Sequence, residues 1–102
     1  MREPTYFILA ALQDEPRHGY AIIKQAELLS RGRVRLATGT LYTALDRLTT
    51  EAYLQVVKEE TVNGRARRYY ALTPTGRAAL QAEASQLASA ARVVTEFRVR
   101  PA

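Results

Sequence analysis

The dipeptide Asn63-Gly64, set between two runs of alternating residues, is the feature that most restricts the fold of this chain. The run from Tyr53 to Val62 is rich in β-branched residues, and the run after the dipeptide extends from Arg65 to Thr73. Asn-Gly is the preferred pair for a two-residue type I′ turn, in which both residues take a positive φ. The sequence therefore predicts a β-hairpin over residues 53–73.

Two helical patterns precede the hairpin. Pro4 suits the first turn of a helix, and the apolar run after it predicts a buried helix over residues 4–13. A second helix is expected from His18 to Ser30, and Gly32 is expected to terminate it in the C′ position. Its inward face is predicted from the helical spacing of three apolar residues, Ile22, Ala26 and Leu29.

A third helix is predicted to begin with Thr38 as its N-cap. Its apolar residues recur at helical spacing on one narrow stripe: Leu41, Leu45, Leu48 and Ala52. The opposite face carries short polar side chains and one long basic one: Gly39, Thr40, Thr43, Asp46, Arg47 and Thr50. Threonine is a mediocre helix former, so several on one face favour a contact over an indifferent surface. Small hydroxylated side chains let a helix enter a DNA groove, where they contact phosphates or base edges.

The segment after the hairpin predicts a long fourth helix over residues 74–97, capped by Thr73 and followed by a flexible tail, 98–102. Leu80, Leu87 and Val94 recur every seven residues, with Ala84 and Ala91 between them. Such a stripe suits close packing of one helix on another. A core of this size cannot cover about 35 Å of helix, so a second copy of the chain is the expected partner, with Tyr6 and Phe7 adding to the surface. Packing on the chain's own first helix is the alternative.

Charge points to a polyanion as a second partner. Residues 31–77 hold nine basic and four acidic side chains and thus carry the whole formal excess of +5. Three of the arginines, Arg65, Arg67 and Arg68, lie at the tip of the predicted hairpin. Edge protection against aggregation would need fewer charges, preferably lysine, so phosphate contact is the favoured interpretation.

Several functional classes find no support in the sequence. There are no cysteines, a single histidine, and no nucleophile–base set or metal-ligand spacing, so neither an enzyme, a metal nor a cofactor is expected. His18 is expected to pack or to cap a helix. No apolar run is long enough to span a bilayer and no signal peptide is expected, so the interpretation is a cytoplasmic protein with no membrane partner.

Three helices followed by a hairpin is the layout of a winged helix-turn-helix domain, whose third helix reads DNA and whose hairpin is the wing. The predicted fold is mainly α with a small β-hairpin: a winged helix-turn-helix domain over 1–73, with helix 4–13 shared with the dimer interface, and a C-terminal dimerisation helix. Three blocks of the sequence resemble the PadR family of bacterial transcriptional regulators: His18 to Gln25, Gly39 to Leu48, and Gly64 to Leu80.

The resemblance implies a homodimeric repressor that binds a pseudo-palindromic operator in double-stranded DNA and is released by a small aromatic or hydrophobic effector. Combined with the residue patterns, it predicts a DNA-binding set: Thr38, Gly39, Thr40, Tyr42, Thr43, Arg47, Asn63, Gly64, Arg65, Arg67 and Arg68. Two departures from the family pattern are Thr43, where proline is frequent, and Ala52, where glycine is usual. The alternative function is a winged-helix module that assembles with an acidic protein partner.

Overall fold

The computed structural model describes residues 1–101. Along the chain, the secondary structure elements are α1 (Glu3–Ala10), β1 (Arg17–His18), α2 (Gly19–Leu29), α3 (Thr38–Thr50), β2 (Leu54–Val62), β3 (Arg65–Leu72) and α4 (Pro74–Thr95). This arrangement is a winged helix-turn-helix with a long C-terminal helix, as the sequence predicts. The tail predicted over residues 98–102 lies only partly within this range: residues 98–101 have no regular secondary structure, and Ala102 lies outside the described residues.

The residues that cap two of the helices differ from the prediction. The N-cap of α3 is Ala37, which has no side chain to bond, and Thr38 is already the first helical residue. After α2, the left-handed C′ residue is Arg31, with φ of 55°, and Gly32 follows it at 82°. The N–H of Gly32 donates to the carbonyl of Glu27 at 2.8 Å, so this glycine closes a Schellman motif from the C″ position rather than from C′.

Ala52 takes the corresponding position after α3. Its φ is 63°. The N–H of the next residue, Tyr53, donates to the carbonyl of Leu48 at 2.9 Å. The helix therefore ends as it would with glycine, but an alanine bears the cost of the left-handed conformation. Since Ala52 lies in this turn and is exposed, it does not extend the buried leucine stripe.

The wing is the predicted hairpin with one additional strand. Both turn residues have positive φ, 51° for Asn63 and 76° for Gly64, which agrees with a type I′ turn. The strand order is β1-β3-β2, all antiparallel, and the two-residue β1 pairs with Tyr69 and Tyr70. A register shift near Val57 marks a bulge in β2.

The core lies where α1, α2 and α3 meet the inner face of the sheet and the first turns of α4. Leu41, Leu45 and Leu48 are fully buried, as the stripe on α3 predicts, whereas Leu29 of α2 is 41% exposed and does not face inward. The other buried members of the cluster are Ile8, Leu9, Ala11, Leu12, Ile22, Leu54, Tyr70 and Leu80.

The helix α4 begins as predicted and then leaves the domain. The hydroxyl of Thr73 accepts a hydrogen bond from the N–H of Gly76 at 3.0 Å, and Pro74 occupies the first turn. Only Gly76 and Leu80 of this helix are buried, and every residue from 85 to 101 is exposed. The molecule is consequently 70 Å long but only 27 and 21 Å across. Leu87 lies beside Tyr6 and Phe7 of α1, and the rest of the second half of α4 is exposed, so α1 alone does not cover this helix.

Candidate nucleic-acid interface

The outward face of α3 is exposed along its full length. Gly39, Thr40, Thr43, Asp46, Arg47 and Thr50 are all exposed, opposite the three buried leucines. The Thr43 hydroxyl donates to the carbonyl of Gly39 at 3.0 Å, so this side chain offers its methyl group to a partner. A Cβ added to Gly39 would meet no atom within 4 Å, which leaves the first turn of α3 free for close approach.

Tyr42 lies at the edge of that face and packs against the start of α2. It is 45% exposed, and a Cβ added to Gly19 would lie 2.6 Å from its hydroxyl oxygen. Only a glycine at position 19 permits this approach without movement of the Tyr42 ring. The hydroxyl end of the ring therefore lies against α2, and the residue lines the cleft beside the wing.

A basic cleft separates α3 from the wing. It has a volume of about 550 Å³, and we call it the wing-side cleft. It is bounded by Tyr42 on α3, by the start of α2 and by residues 65–68 of β3. The strand β1 pairs only with Tyr69 and Tyr70, so it does not cover this part of β3. The residues that matter for its chemistry are His18, Gly19, Tyr42, Arg65, Arg67 and Arg68.

The three wing arginines differ in their surroundings. Arg65 is exposed at the tip, whereas Arg67 is half-buried against the sheet. Arg68 lies opposite Glu59 in the hairpin register, and its Nε is 3.8 Å from that carboxylate. The predicted turn residues Asn63 and Gly64 are exposed at the same tip and position Arg65. Arg67 in turn lies opposite Glu60, so Arg65 supplies the most available positive charge for a polyanion.

His18 caps α2, as the sequence analysis expected. Its Nδ1 accepts a hydrogen bond from the N–H of Ala21 at 3.4 Å, and its ring meets that of Tyr69 edge-on at 5.5 Å. This acceptor role requires a neutral imidazole, because protonated Nδ1 has no lone pair. Burial, together with the nearby Arg67 guanidinium, lowers the pKa of His18, although the Glu60 carboxylate opposes this.

The same face of the wing contains a second polar contact. The Tyr69 hydroxyl donates to the Glu60 carboxylate at 2.7 Å, and this bond lowers the pKa of Glu60. Lys58 lies 5.1 Å from the Tyr69 ring centre and 3.3 Å from the Glu60 carboxylate. Tyr69 and Lys58 thus hold the Glu60 carboxylate in place beside the wing arginines.

Arg47 is placed differently from the other predicted contacts. Its guanidinium donates to Glu51 at 3.2 Å and to the Thr5 hydroxyl of α1 at 3.1 Å. It lies at the end of a second cleft, between α1 and α3, of about 660 Å³. We call this the α1-side cleft; Arg2 and Arg47 lie at its edge, and Ile8, Leu36 and Ala44 form its apolar floor. Sequence reasoning missed both clefts, because each depends on contacts between distant segments.

The residues predicted for dimerisation fall into two groups. Leu80 is 4% exposed and belongs to the core of its own subunit. Tyr6 and Phe7 of α1 lie beside Leu87 of α4 around a small cavity of about 190 Å³. Leu87 is 50% exposed and Val94 is 77% exposed, and the small residues of the stripe, Ala84 and Ala91, are half-buried and exposed respectively.

Within residues 1–101, no group of three acidic or histidine side chains is arranged to hold a metal ion. None of the described helices is both long and apolar enough to cross a membrane.

Comparison with known proteins agrees with this geometry. The model of the transcriptional regulator PadR-like family matches residues 8–82. The transcriptional regulator Rv3488 of Mycobacterium tuberculosis is 41% identical over 87 residues, which cover 85% of this chain and 78% of that protein. A PadR family regulator from Clostridium difficile superposes with a TM-score of 0.76 at 24% identity, over 94% of this chain and 98% of that one.

Bacillus subtilis PadR, solved in complex with operator DNA, superposes with a TM-score of 0.69 at 20% identity. The match covers 99% of this chain but 51% of that one, so this chain spans about half of that regulator. At these sequence identities, the two structural matches show that this chain shares the fold of the two proteins, and nothing beyond the fold.

Proposed function

Because the chain belongs to the PadR-like family of transcriptional regulators, we propose that it is a repressor that binds an inverted-repeat operator as a homodimer. In this proposal α3 is the recognition helix and enters the major groove, while the wing contacts the flanking backbone. The chain acts in the cytoplasm, where its target DNA is, and no reaction is assigned to it.

The observation that carries the proposal is the position of the basic wing beside the exposed face of α3. Thr38 and Thr40 present hydroxyl and methyl groups, and Thr43 its methyl group, on the first two turns of the helix, the part that contacts bases in helix-turn-helix proteins. The wing-side cleft next to them contains arginines and the Tyr42 hydroxyl, which are groups that bind phosphate. A recognition surface and a backbone-binding surface therefore adjoin on one side of the molecule.

The exposed half of α4 supports the homodimer. Its stripe residues Leu87 and Val94 are half to three-quarters exposed in the isolated chain. Monomeric proteins rarely leave an apolar stripe of this length in water. A second copy that packs on this stripe would begin at Ala84, since Leu80 is already used within the subunit.

We place the effector at the same seam. The cavity between Tyr6, Phe7 and Leu87 has about 190 Å³, below the roughly 300 Å³ of ordinary ligand pockets. A small aromatic or hydrophobic molecule would fit there once the partner helix closes the open side. Binding at this position would act on α1, which also contacts the recognition helix through Thr5 and Arg47.

Titration of an operator duplex and a scrambled duplex at several salt concentrations tests the function. We expect Thr40→Ala to weaken specific binding by about 1–3 kcal/mol and to leave binding to the scrambled duplex unchanged. Arg65→Gln should weaken both and reduce the salt slope by about one unit. Thr75→Ala and Arg92→Gln, exposed positions on α4, are the matched controls.

The alternative function, assembly with an acidic protein partner, predicts another outcome. In that case the wild type would show no preference between the operator and scrambled duplexes. If Thr40→Ala weakened binding to the two duplexes equally, Thr40 would contact a phosphate rather than a base. The proposed role of the wing would not be affected.

A further inference from the structure

The recognition helix has a cleft on each side, and different segments of the chain form the two clefts. Of the residues on α3, Tyr42 lines the wing-side cleft, whereas Gly39, Thr40, Thr43, Ala44 and Arg47 line the α1-side cleft, which therefore reaches from α1 to the middle of the outward face. At 100° per residue, Thr40 and Tyr42 point to opposite flanks of α3. The exposed residues Gly39, Thr43 and Thr50 lie between them, on the middle of the outward face.

A helix in the major groove meets both DNA strands. The groove is about 12 Å wide and an α-helix with side chains is about 10–12 Å across, so a sugar–phosphate backbone passes along each flank of the helix. The wing-side cleft, with its arginines, accounts for only one of these two backbones. The α1-side cleft lies on the other flank of α3, along which the second backbone would pass.

The chemistry of the α1-side cleft suits a sugar–phosphate backbone. Its floor is apolar, and the partly exposed Leu36 and Ala44 in it can contact the apolar face of a deoxyribose, above the buried Ile8. Its edge carries the guanidinium groups of Arg2 and Arg47, which are suited to phosphate. A purely apolar ligand would leave these two cations unused.

Both arginines are available for such a contact. Arg2 is exposed and forms no ion pair with a carboxylate in the described part of the chain. Arg47 is half-exposed and is held by a surface ion pair with Glu51, which contributes little stability and is easily exchanged for a phosphate. The nearby Glu3 carboxylate is neutralised by Arg33.

We propose that Arg2 and Arg47 bind the sugar–phosphate backbone of one DNA strand, while the wing binds that of the other strand. This inference rests on the proposed function. The recognition helix is then clamped between two strands, one per cleft. This assigns a DNA contact to the first residues of the chain, before α1, which lie outside the helix-turn-helix and the wing. It also gives Arg47 a backbone role rather than a base-reading one.

The test combines arginine variants with operator duplexes that carry uncharged methylphosphonates at the half-site of one strand or the other. For the wild type, neutralising either strand should weaken binding several-fold. In Arg2→Gln, neutralising the α1-side strand should cost less than in the wild type by the share that Arg2 contributes, since Arg47 still contacts this strand, while neutralising the wing-side strand should keep its full effect. Arg65→Gln should show the reverse pattern, and Arg92→Gln should behave as the wild type.

The salt slope gives an independent readout, which should fall by about one unit in Arg2→Gln. If Arg2→Gln retains the wild-type slope and strand pattern while Arg65→Gln does not, the strand assignment is refuted and the proposed function stands. That result would favour a small ligand as occupant of the α1-side cleft. If the wild type itself shows no specific binding, the proposed function fails.

Discussion

Replacement of Leu87 by aspartate tests the proposed dimer most sharply. The side chain is 50% exposed in the isolated chain, so the monomer can accommodate a carboxylate there without unfolding. In a dimer the remaining half would be buried, and its loss costs about 1 kcal/mol in each subunit. An uncompensated carboxylate at the seam adds about 2–3 kcal/mol per subunit. Two copies together give about 6–8 kcal/mol, or more than four powers of ten in the dissociation constant.

Sedimentation velocity at micromolar concentration, combined with circular dichroism, measures this effect. We expect a dimeric wild type and a monomeric, folded Leu87→Asp variant that has lost high-affinity operator binding. Ser89→Asp is the matched control, because it adds the same charge on the other side of α4, next to Arg92, which already bonds Ser89 at 3.2 Å. A Leu87→Asp variant that sediments as a dimer, or a wild type that sediments as a monomer, would refute the reasoning.

Three further predictions concern stability, measured by urea denaturation at fixed protein concentration. Gly76→Ala should lower the free energy of unfolding by about 2–4 kcal/mol, because the added Cβ would lie 2.1 Å from the Tyr53 carbonyl oxygen. Gly39→Ala is the control and should not lower it, because the Cβ added there meets no atom within 4 Å. Ala52→Gly should raise it by about 0.5–1 kcal/mol by relieving the left-handed alanine, and no gain would contradict that reason. His18 has a pKa below its unfolded value of about 6.5, so the neutral form stabilises the fold above that pH, and this contribution is lost as the pH falls below it. His18→Asn keeps a cap acceptor and should remove that part of the pH dependence, and an identical profile for both proteins would exclude the role of His18.

Local signals in the sequence were enough to predict the wing and the start of α4. The Asn63-Gly64 turn and the Thr73 cap depend on residues only a few positions apart, and both are confirmed. The buried stripe of α3 is confirmed for the same reason, since Leu41, Leu45 and Leu48 follow the helical period. Exposed threonines opposite this stripe were therefore placed on the correct face of the helix.

Features that depend on distant contacts were missed. β1 has two residues, too few for any periodic pattern, and exists only because Arg17 and His18 pair with Tyr70 and Tyr69. The same applies to the wing-side cleft, in which Gly19 is required by the Tyr42 ring.

Helix ends were predicted less well than helix faces. Arg31 takes the left-handed C′ position predicted for Gly32, and Ala52 takes the one where glycine is usual in the family, because the hydrogen bonds of the following turn stabilise a conformation that the residue alone disfavours. The role of Leu29 was wrong for a related reason: it lies at the last position of α2, where the chain turns away from the core.

The central claim is that the chain reads DNA as a two-fold dimer, and selection from a pool of randomised duplexes tests it most directly. Bound fragments would be recovered over several rounds with the full chain and then sequenced. We predict enrichment of one inverted repeat whose half-site centres are one helical turn, about 34–36 Å, or a multiple of it apart. Recovery of fragments with no common sequence, or of a single half-site without its repeat, would contradict the account.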